Sequence, residues 1–206
     1  MTLRYWIGGT VAAAVAVAAP LLAEQTTGAK AGNFRLNDAS GKVVELSQFA
    51  GKTVVLEWHN PGCPFVQKHY DSGNMQKTQA AARAQGAVWL TINSGAPGKQ
   101  GAMSGPEAQK LVAAQGAKSS HYLLDPKGVV GKGYGAKTTP HMYVISPDGT
   151  LVYQGGIDDK PTANKADIAT ARNHVLAALG EMKAGKPVSV KEARPYGCSV
   201  KYEGVS

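Results

Sequence analysis

Cys63 and Cys198 are the only two cysteines in this chain of 206 residues, and Cys63 stands where a thiol becomes reactive. The apolar run Val54-Val55-Leu56 gives way, through Trp58-His59-Asn60-Pro61-Gly62, to Cys63-Pro64-Phe65. A β-branched run ended by Pro and Gly predicts a strand leaving its sheet. Pro64 suits the first residue of a helix, where a missing N–H is not needed. Cys63 then falls at the N-cap, facing unpaired backbone N–H groups and the positive end of the helix dipole. Both favour the thiolate, which is the nucleophile and the metal ligand.

Cys198 lies in Arg194-Pro195-Tyr196-Gly197-Cys198-Ser199, in a Gly/Pro-punctuated tail beyond the last expected helix. It is the one thiol available to resolve a mixed disulfide or a sulfenic acid on Cys63, and exchange requires its thiolate to reach one particular sulfur. A mobile tail of ~12 residues from Lys186 to Cys198 spans up to ~40 Å when extended, so orientation and not reach limits the pair. The same two cysteines also allow a permanent staple, contributing ~4–5 kcal/mol by loop closure, or two unpaired thiols. The sequence leaves all three open.

The elements that must position these thiols alternate. A domain beginning near Asn33-Phe34-Arg35-Leu36 turns at Asn37 to Lys42 and leads through Val43-Val44-Glu45-Leu46 to the strand Thr53–Trp58. Helical character runs from Pro64 to about Gln85 with a break at Asp71-Ser72-Gly73, followed by a buried strand over Ala87–Asn93. Ser104, with Pro106 and Glu107 in the first turn, opens a helix that ends near Gly116. Tyr122-Leu123-Leu124 predicts a short strand, and His141–Ile145 and Thr150–Tyr153 a hairpin around Ser146-Pro147-Asp148-Gly149. Ile168, Ala171, Val175, Ala178/Leu179 and Met182 follow helical spacing up to Gly185 and Pro187. The order predicts an α/β layer fold with a mixed central sheet.

Composition bounds the setting. The first 23 residues read as a signal peptide: Arg4 gives a positive start, and Tyr5 to Ala19 form an uncharged Ala/Val-rich stretch before Pro20. That stretch is shorter than the ~20 residues of a membrane-spanning helix, so contact with a membrane is expected only through the leader if it stays uncleaved. The expected organisation is a leader over 1–23, a mobile linker over 24–32, the domain over 33–185 and a tail over 186–206 carrying Cys198. An exported, periplasmic protein meets an oxidising environment, where two cysteines can pair. The net charge of +8 is scattered among single lysines and arginines with no basic run, so nucleic acid is not an expected partner.

Four motifs in order carry a resemblance to thioredoxin-fold redoxins of the AhpC/TSA type, which include peroxiredoxins and exported thiol–disulfide oxidoreductases. They are Phe34-x-Leu36-x-Asp38-x-x-Gly41-Lys42 with Leu46 and Gly51-Lys52-x-Val54-Val55; Cys63 at a strand–helix junction; Tyr134-Gly135-Ala136-Lys137-Thr138-Thr139-Pro140; and Val144-Ile145-Ser146-Pro147-Asp148-Gly149-Thr150-Leu151. The resemblance spans roughly residues 33–185 and implies a thioredoxin-like three-layer sandwich. The chain departs from it where function is decided. Val66 occupies the second position of a Cys-x-x-Cys pair, and Leu56 and Asn60 stand where a peroxiredoxin carries the Pro and Thr/Ser of Pro-x-x-x-Thr/Ser-x-x-Cys.

The resemblance implies that Pro140 follows a cis peptide bond, packs against the nucleophile and exposes a backbone edge to substrate, with Thr139 and Trp58 as further substrate contacts. It implies that Glu57, six positions before Cys63, is a buried acid that moves a proton to the departing thiolate; a solvated acid on the other strand face is the alternative. Protonated His59 or His141 nearby would lower the Cys63 pKa further. The expected activity is thiol–disulfide exchange or hydroperoxide reduction, with Cys63 attacking and Cys198 resolving, no cofactor, and a protein thiol, protein disulfide or hydroperoxide as partner. Two other readings use the same residues: a copper-binding or chaperone module built on Cys63 with a histidine, and a redox-inactive binding domain stapled by a Cys63–Cys198 disulfide.

Overall fold

The computed structural model describes residues 25–204, so the expected leader lies outside the described residues. Two apolar runs form its centre. β1 (Val54–Trp58) and β2 (Val88–Asn93) are buried along their whole lengths and pair in parallel, from Val54 opposite Val88 to Trp58 opposite Ile92. Runs without polar alternation take this place because both sheet faces are covered. β3 (His121–Leu124) extends the parallel part beside β2, and β4 (His141–Ile145) pairs antiparallel with β1 on the other side. β5 (Leu151–Gly155) closes one edge as a hairpin with β4. Arg35–Asp38 and Val43–Glu45 complete a seven-stranded mixed sheet at the other edge.

Period-two alternation divides the central strands between two cores. Leu56, Trp58, Leu90, Ile92 and Tyr143 meet Phe34, Tyr134 and Val200 on one face. Val55, Trp89, Met142 and Val144 meet the helices on the other: Val66 and Tyr70 of α1 (Pro64–Asp71), Met75 and Ala82 of α2 (Asn74–Ala84), and Val175, Ala178 and Leu179 of the C-terminal helix His174–Lys183. This is the expected thioredoxin-like α/β arrangement. The break between α1 and α2 falls at Ser72-Gly73, where Gly73 has φ 75° and permits the left-handed turn. Ser104 and Glu107 form the expected reciprocal capping box.

Three expectations change. The last helix starts at His174 and not near Ile168, which sits in a separate 3₁₀ turn over Lys165–Thr170. Asn164 and Asn173 each accept a backbone N–H through their side chains, and the two caps split the apolar periodicity into two pieces. The expected mobile linker is paired with β5 and its turn: Gly28 N–H donates to Leu151 O at 2.8 Å, Leu151 N–H to Ala29 O at 2.9 Å, and Ala31 N–H to Gly149 O at 2.9 Å.

The tail is held as well. Ala193 N–H donates to Gln154 O at 3.1 Å, Val200 N–H to Lys137 O at 3.1 Å, and Ala96 N–H to Lys201 O at 2.8 Å. Val188, Tyr196 and Val200 are buried. Its passage across β5 depends on Gly155, whose φ is 145° and where a Cβ would stand 2.1 Å from Ala193 O. Edge pairing of this kind uses backbone groups and needs no hydrophobic run, so a polar, Gly/Pro-rich sequence conceals it.

Candidate active site

Cys63 is the N-cap of α1, with φ −88°, ψ 121° and Pro64 following it. Its carbonyl accepts from Val66 N–H at 3.0 Å and Gln67 N–H at 2.9 Å, and its own N–H donates to Asn60 O at 3.1 Å. Asn60 braces the loop between strand and helix: its Oδ1 accepts from Gly62 N–H at 2.8 Å and its Nδ2 donates to Gln100 O at 3.2 Å. The Cys63 side chain is completely buried.

What buries it is the segment around Pro140 together with the tail. The Thr139–Pro140 bond is cis, and Cys63 Sγ lies 3.1 Å from Thr139 O, within reach as a thiol donor. Thr138–Thr139 pairs antiparallel with Cys198–Ser199, and Cys198 is opposite Thr139 in register. The backbone edge beside the proline is therefore occupied by the chain's own second cysteine. Gly197 makes the approach possible, since a Cβ there would stand 2.1 Å from Thr139 O and its φ is 131°. In the sequence Gly197 stands out only as one residue of a Gly/Pro-punctuated tail, directly before the second cysteine.

Both thiols are free, Cys198 partly exposed, and their acidities diverge. Burial by itself raises the Cys63 thiol, but hydrogen bonds with the side chains of Cys198 and Thr139 and with the backbone of Cys198 and Val66 outweigh it, leaving the pKa below its ordinary value. Cys198 is pushed up to about 11, first by burial and then by its hydrogen bond to Cys63 and the charge there. Of the two, Cys63 is the more readily ionised, and Cys198 is placed to donate to it when it is. In wild-type protein the alkylation rate of Cys63, followed at that residue by mass spectrometry, is expected to titrate below the ordinary ~8.5. In Cys198→Ala, which removes the largest lowering influence, the midpoint moves upward; an unchanged midpoint rules out Cys198 as the source of the shift.

Glu57 faces the helical layer and not solvent. Fully buried, its carboxylate accepts from Tyr70 Oη at 2.8 Å, Trp89 Nε1 at 2.8 Å, Thr91 Oγ1 at 3.0 Å and Gln79 Nε2 at 3.2 Å. Burial raises its pKa against the lowering effect of these four donors. Tyr70 belongs to the helix that Cys63 caps, so the acid is built under the same structural unit as the nucleophile.

Trp58 and the histidines do not take the expected places. Trp58 is completely buried in the opposite core, its ring 5.0 Å from Tyr143 and 5.6 Å from Tyr134 (centroid distances) and its Nε1 donating to Ser94 Oγ at 3.1 Å. Its position in the strand alternation places it in the core cluster opposite the one that holds Cys63. His59 and His141 are each pushed down to about 3, His59 by burial and His141 by burial and the Lys137 charge. They are neutral, His59 hydrogen-bonded to Tyr122 Oη at 2.9 Å, and supply no imidazolium to the thiolate. Among the described residues, no group of three or more His, Cys, Asp or Glu side chains is arranged to hold a metal ion.

The profile of the AhpC/TSA family matches residues 27–154, a span that includes Glu57, Cys63 and Pro140 and ends before Cys198. Among solved structures, a hypothetical protein from Sinorhizobium meliloti is 26% identical, with a TM-score of 0.73 over 88% of this chain and 97% of that one. An uncharacterized conserved protein from Geobacillus kaustophilus is also 26% identical, with a TM-score of 0.72 over 88% and 94%. A putative thiol:disulfide interchange protein DsbE from Chlorobium tepidum is 28% identical, with a TM-score of 0.55 over 75% of this chain and 99% of that one. No curated protein matches the chain.

Proposed function

This chain belongs to the AhpC/TSA family, and from that membership we propose that it is an exported thiol–disulfide oxidoreductase in which Cys63 is the nucleophile and Cys198 the resolving thiol. One observation carries the reading: Cys198 is paired in register with Thr139, whose carbonyl lies 3.1 Å from Cys63 Sγ, in an environment that lowers the Cys63 pKa and raises that of Cys198. A permanent staple has no use for a low-pKa thiolate, whereas exchange chemistry requires one.

The cycle follows from these positions. The Cys63 thiolate attacks one sulfur of a partner disulfide, forming a mixed disulfide and releasing the first partner thiolate, which takes up a proton. With its sulfur now covalently bound, Cys63 carries no charge, and one of the influences that holds Cys198 protonated disappears. Cys198 then loses its proton and attacks the Cys63 sulfur. The second partner thiolate leaves, the partner is reduced by two electrons, and the Cys63–Cys198 pair is oxidised by two. Glu57, buried and with a raised pKa, is a reservoir for the proton released near the site. Because Cys63 is fully covered, the tail strand lifts from Thr138–Thr139 before a protein partner is engaged. The Arg4-led leader supports a periplasmic setting with protein thiols and disulfides as partners.

Family membership favours hydroperoxide reduction as a second reading, with Cys63 sulfenic acid in place of the mixed disulfide and the same resolution by Cys198. Alkylation trapping and mass spectrometry after challenge with a protein disulfide or with hydrogen peroxide tests both. Wild type is expected to give a faster-migrating monomer with an internal disulfide on non-reducing gels. Cys198→Ala is expected to accumulate the mixed disulfide or the sulfenic acid on Cys63, and which oxidant produces it identifies the reaction. A product consisting only of disulfide-linked dimers, or no modification of Cys63, overturns the proposal.

A further inference from the structure

Resting on that reading, we propose that Tyr196 is a positioning residue for exchange: a buried latch of Lys68, His69 and Asp158 grips it and so holds Cys198, two residues on, against Cys63. The latch is remote from Glu57 in its chemistry and plays no part in the proton inventory of the cycle. Lys68 and His69 have side chains 0% exposed and Asp158 1%. Polar and charged groups so deeply buried are costly unless they are paired, and here the hydroxyl of one tail residue, Tyr196, meets both His69 Nε2 and Asp158 Oδ1.

The hydrogen bonds run in one direction. Asn74 Nδ2 donates to His69 Nδ1 at 2.8 Å, which leaves the proton of the neutral imidazole on Nε2. His69 Nε2 stands 3.3 Å from Tyr196 Oη and donates to it, and the Tyr196 hydroxyl donates in turn to Asp158 Oδ1. Lys68 Nζ lies 3.8 Å from Asp158 Oδ2 and 5.7 Å from the centre of the Tyr196 ring, and is anchored by Lys160 O at 2.9 Å. Phe65 packs its ring 5.9 Å from that of Tyr196. The His69 pKa is pushed down to about 4, chiefly by burial, which keeps this donor order at neutral pH.

The arrangement matters because of which element bears it. Phe65, Lys68 and His69 are residues of α1, the helix that Cys63 caps. The latch therefore ties the tail to the same rigid body as the nucleophile, and Gly197 carries the short link across the Thr139 carbonyl to Cys198. Misplacing a reacting atom by about 1 Å costs on the order of a hundredfold in rate. The pairing of Thr138–Thr139 with Cys198–Ser199 is only two residues long and cannot fix that distance alone.

Stopped-flow reaction of the full chain with dithiobis(nitrobenzoate), an aromatic disulfide, separates the two steps. The first coloured thiolate reports formation of the mixed disulfide and the second reports closure of the Cys63–Cys198 bond. For Tyr196→Ala we expect the first release to be as fast as in wild type or faster, because the cover over Cys63 is loosened, and the second to slow by about a hundredfold. Tyr196→Phe keeps the ring and loses the hydroxyl, and is expected to slow closure by about tenfold, with Asp158→Asn behaving alike. A loss of positioning is marked by slower closure in folded Tyr196→Phe and Asp158→Asn, whose first release stays at the wild-type rate. Closure in folded Tyr196→Ala within about twofold of wild type overturns the latch; if that variant does not fold, unchanged closure in Tyr196→Phe and Asp158→Asn does so. Wild-type protein that releases only the first thiolate overturns the resolving role of Cys198 and the latch with it. Wild-type closure matched by all variants overturns the latch alone.

Discussion

Cys63→Ser protein is expected to fold normally and to lose disulfide exchange and any peroxidase activity by at least about three orders of magnitude. The activity loss follows from acidity: a serine hydroxyl in the same hydrogen bonds is not ionised near neutral pH, and the thiolate is the nucleophile. Retention of the fold follows from the local geometry. Residue 63 is a helix N-cap with extended backbone angles, a position at which serine is among the favoured residues. The oxygen is smaller than sulfur and leaves only a small void against Thr139. Reduction of a fluorescent peptide disulfide and consumption of hydrogen peroxide measure the loss, and circular dichroism the fold. A folded Cys63→Ser protein with activity within about tenfold of wild type would remove the thiol from the mechanism.

The second large effect is on stability. Glu57→Ala is expected to destabilise the protein by about 3–5 kcal/mol in urea denaturation, because it leaves a cavity and strips a shared acceptor from four buried donors. Glu57→Gln keeps the volume but offers one acceptor oxygen for two, so a smaller loss is expected. The pH dependence separates the acid's charge from its packing. The Glu57 pKa is raised in the folded protein, so between the ordinary carboxylate value of ~4.3 and its folded value the native state holds more protons than the unfolded one. Its contribution to stability is complete below that ordinary value and is lost as the pH rises through the folded pKa. The stability gap between wild type and Glu57→Gln is therefore expected to narrow as the pH rises through the folded pKa of Glu57. Asp125, also raised by burial, is common to both proteins and cancels in the comparison. A gap that is constant or widens with pH would show that Glu57 is already ionised at acid pH, and that it cannot act as a proton reservoir near the site.

Both effects trace to one short stretch of chain, and this explains what was legible in it. Cys63 was assigned from its immediate neighbours, because strand exit, the helix-starting proline and the N-cap are set within a few residues of each other. The capping box at Ser104 and the break at Ser72-Gly73 are local in the same way. Parity along β1 showed that Glu57 and Trp58 face opposite ways but not which layer each meets, because alternation carries no information on what covers a face. Only the packed helices decide that Glu57 is caged with Tyr70 and Gln79 while Trp58 sits between Tyr134 and Tyr143.

By itself, then, the sequence determined the α/β order of elements, the family resemblance and the N-cap position of Cys63, all of which rest on contacts between near neighbours in the chain. The tertiary structure decided where the second cysteine sits. Cys198 is brought to Thr139, 59 residues earlier in the sequence, by backbone pairing that any side chains allow and by glycines that permit close approach. It also decided the charge of the histidines, since burial by distant segments and not adjacent sequence holds His59 and His141 neutral. Contacts of that kind have no local signature, because the groups that create them become neighbours only when the sheet, the helices and the tail are assembled.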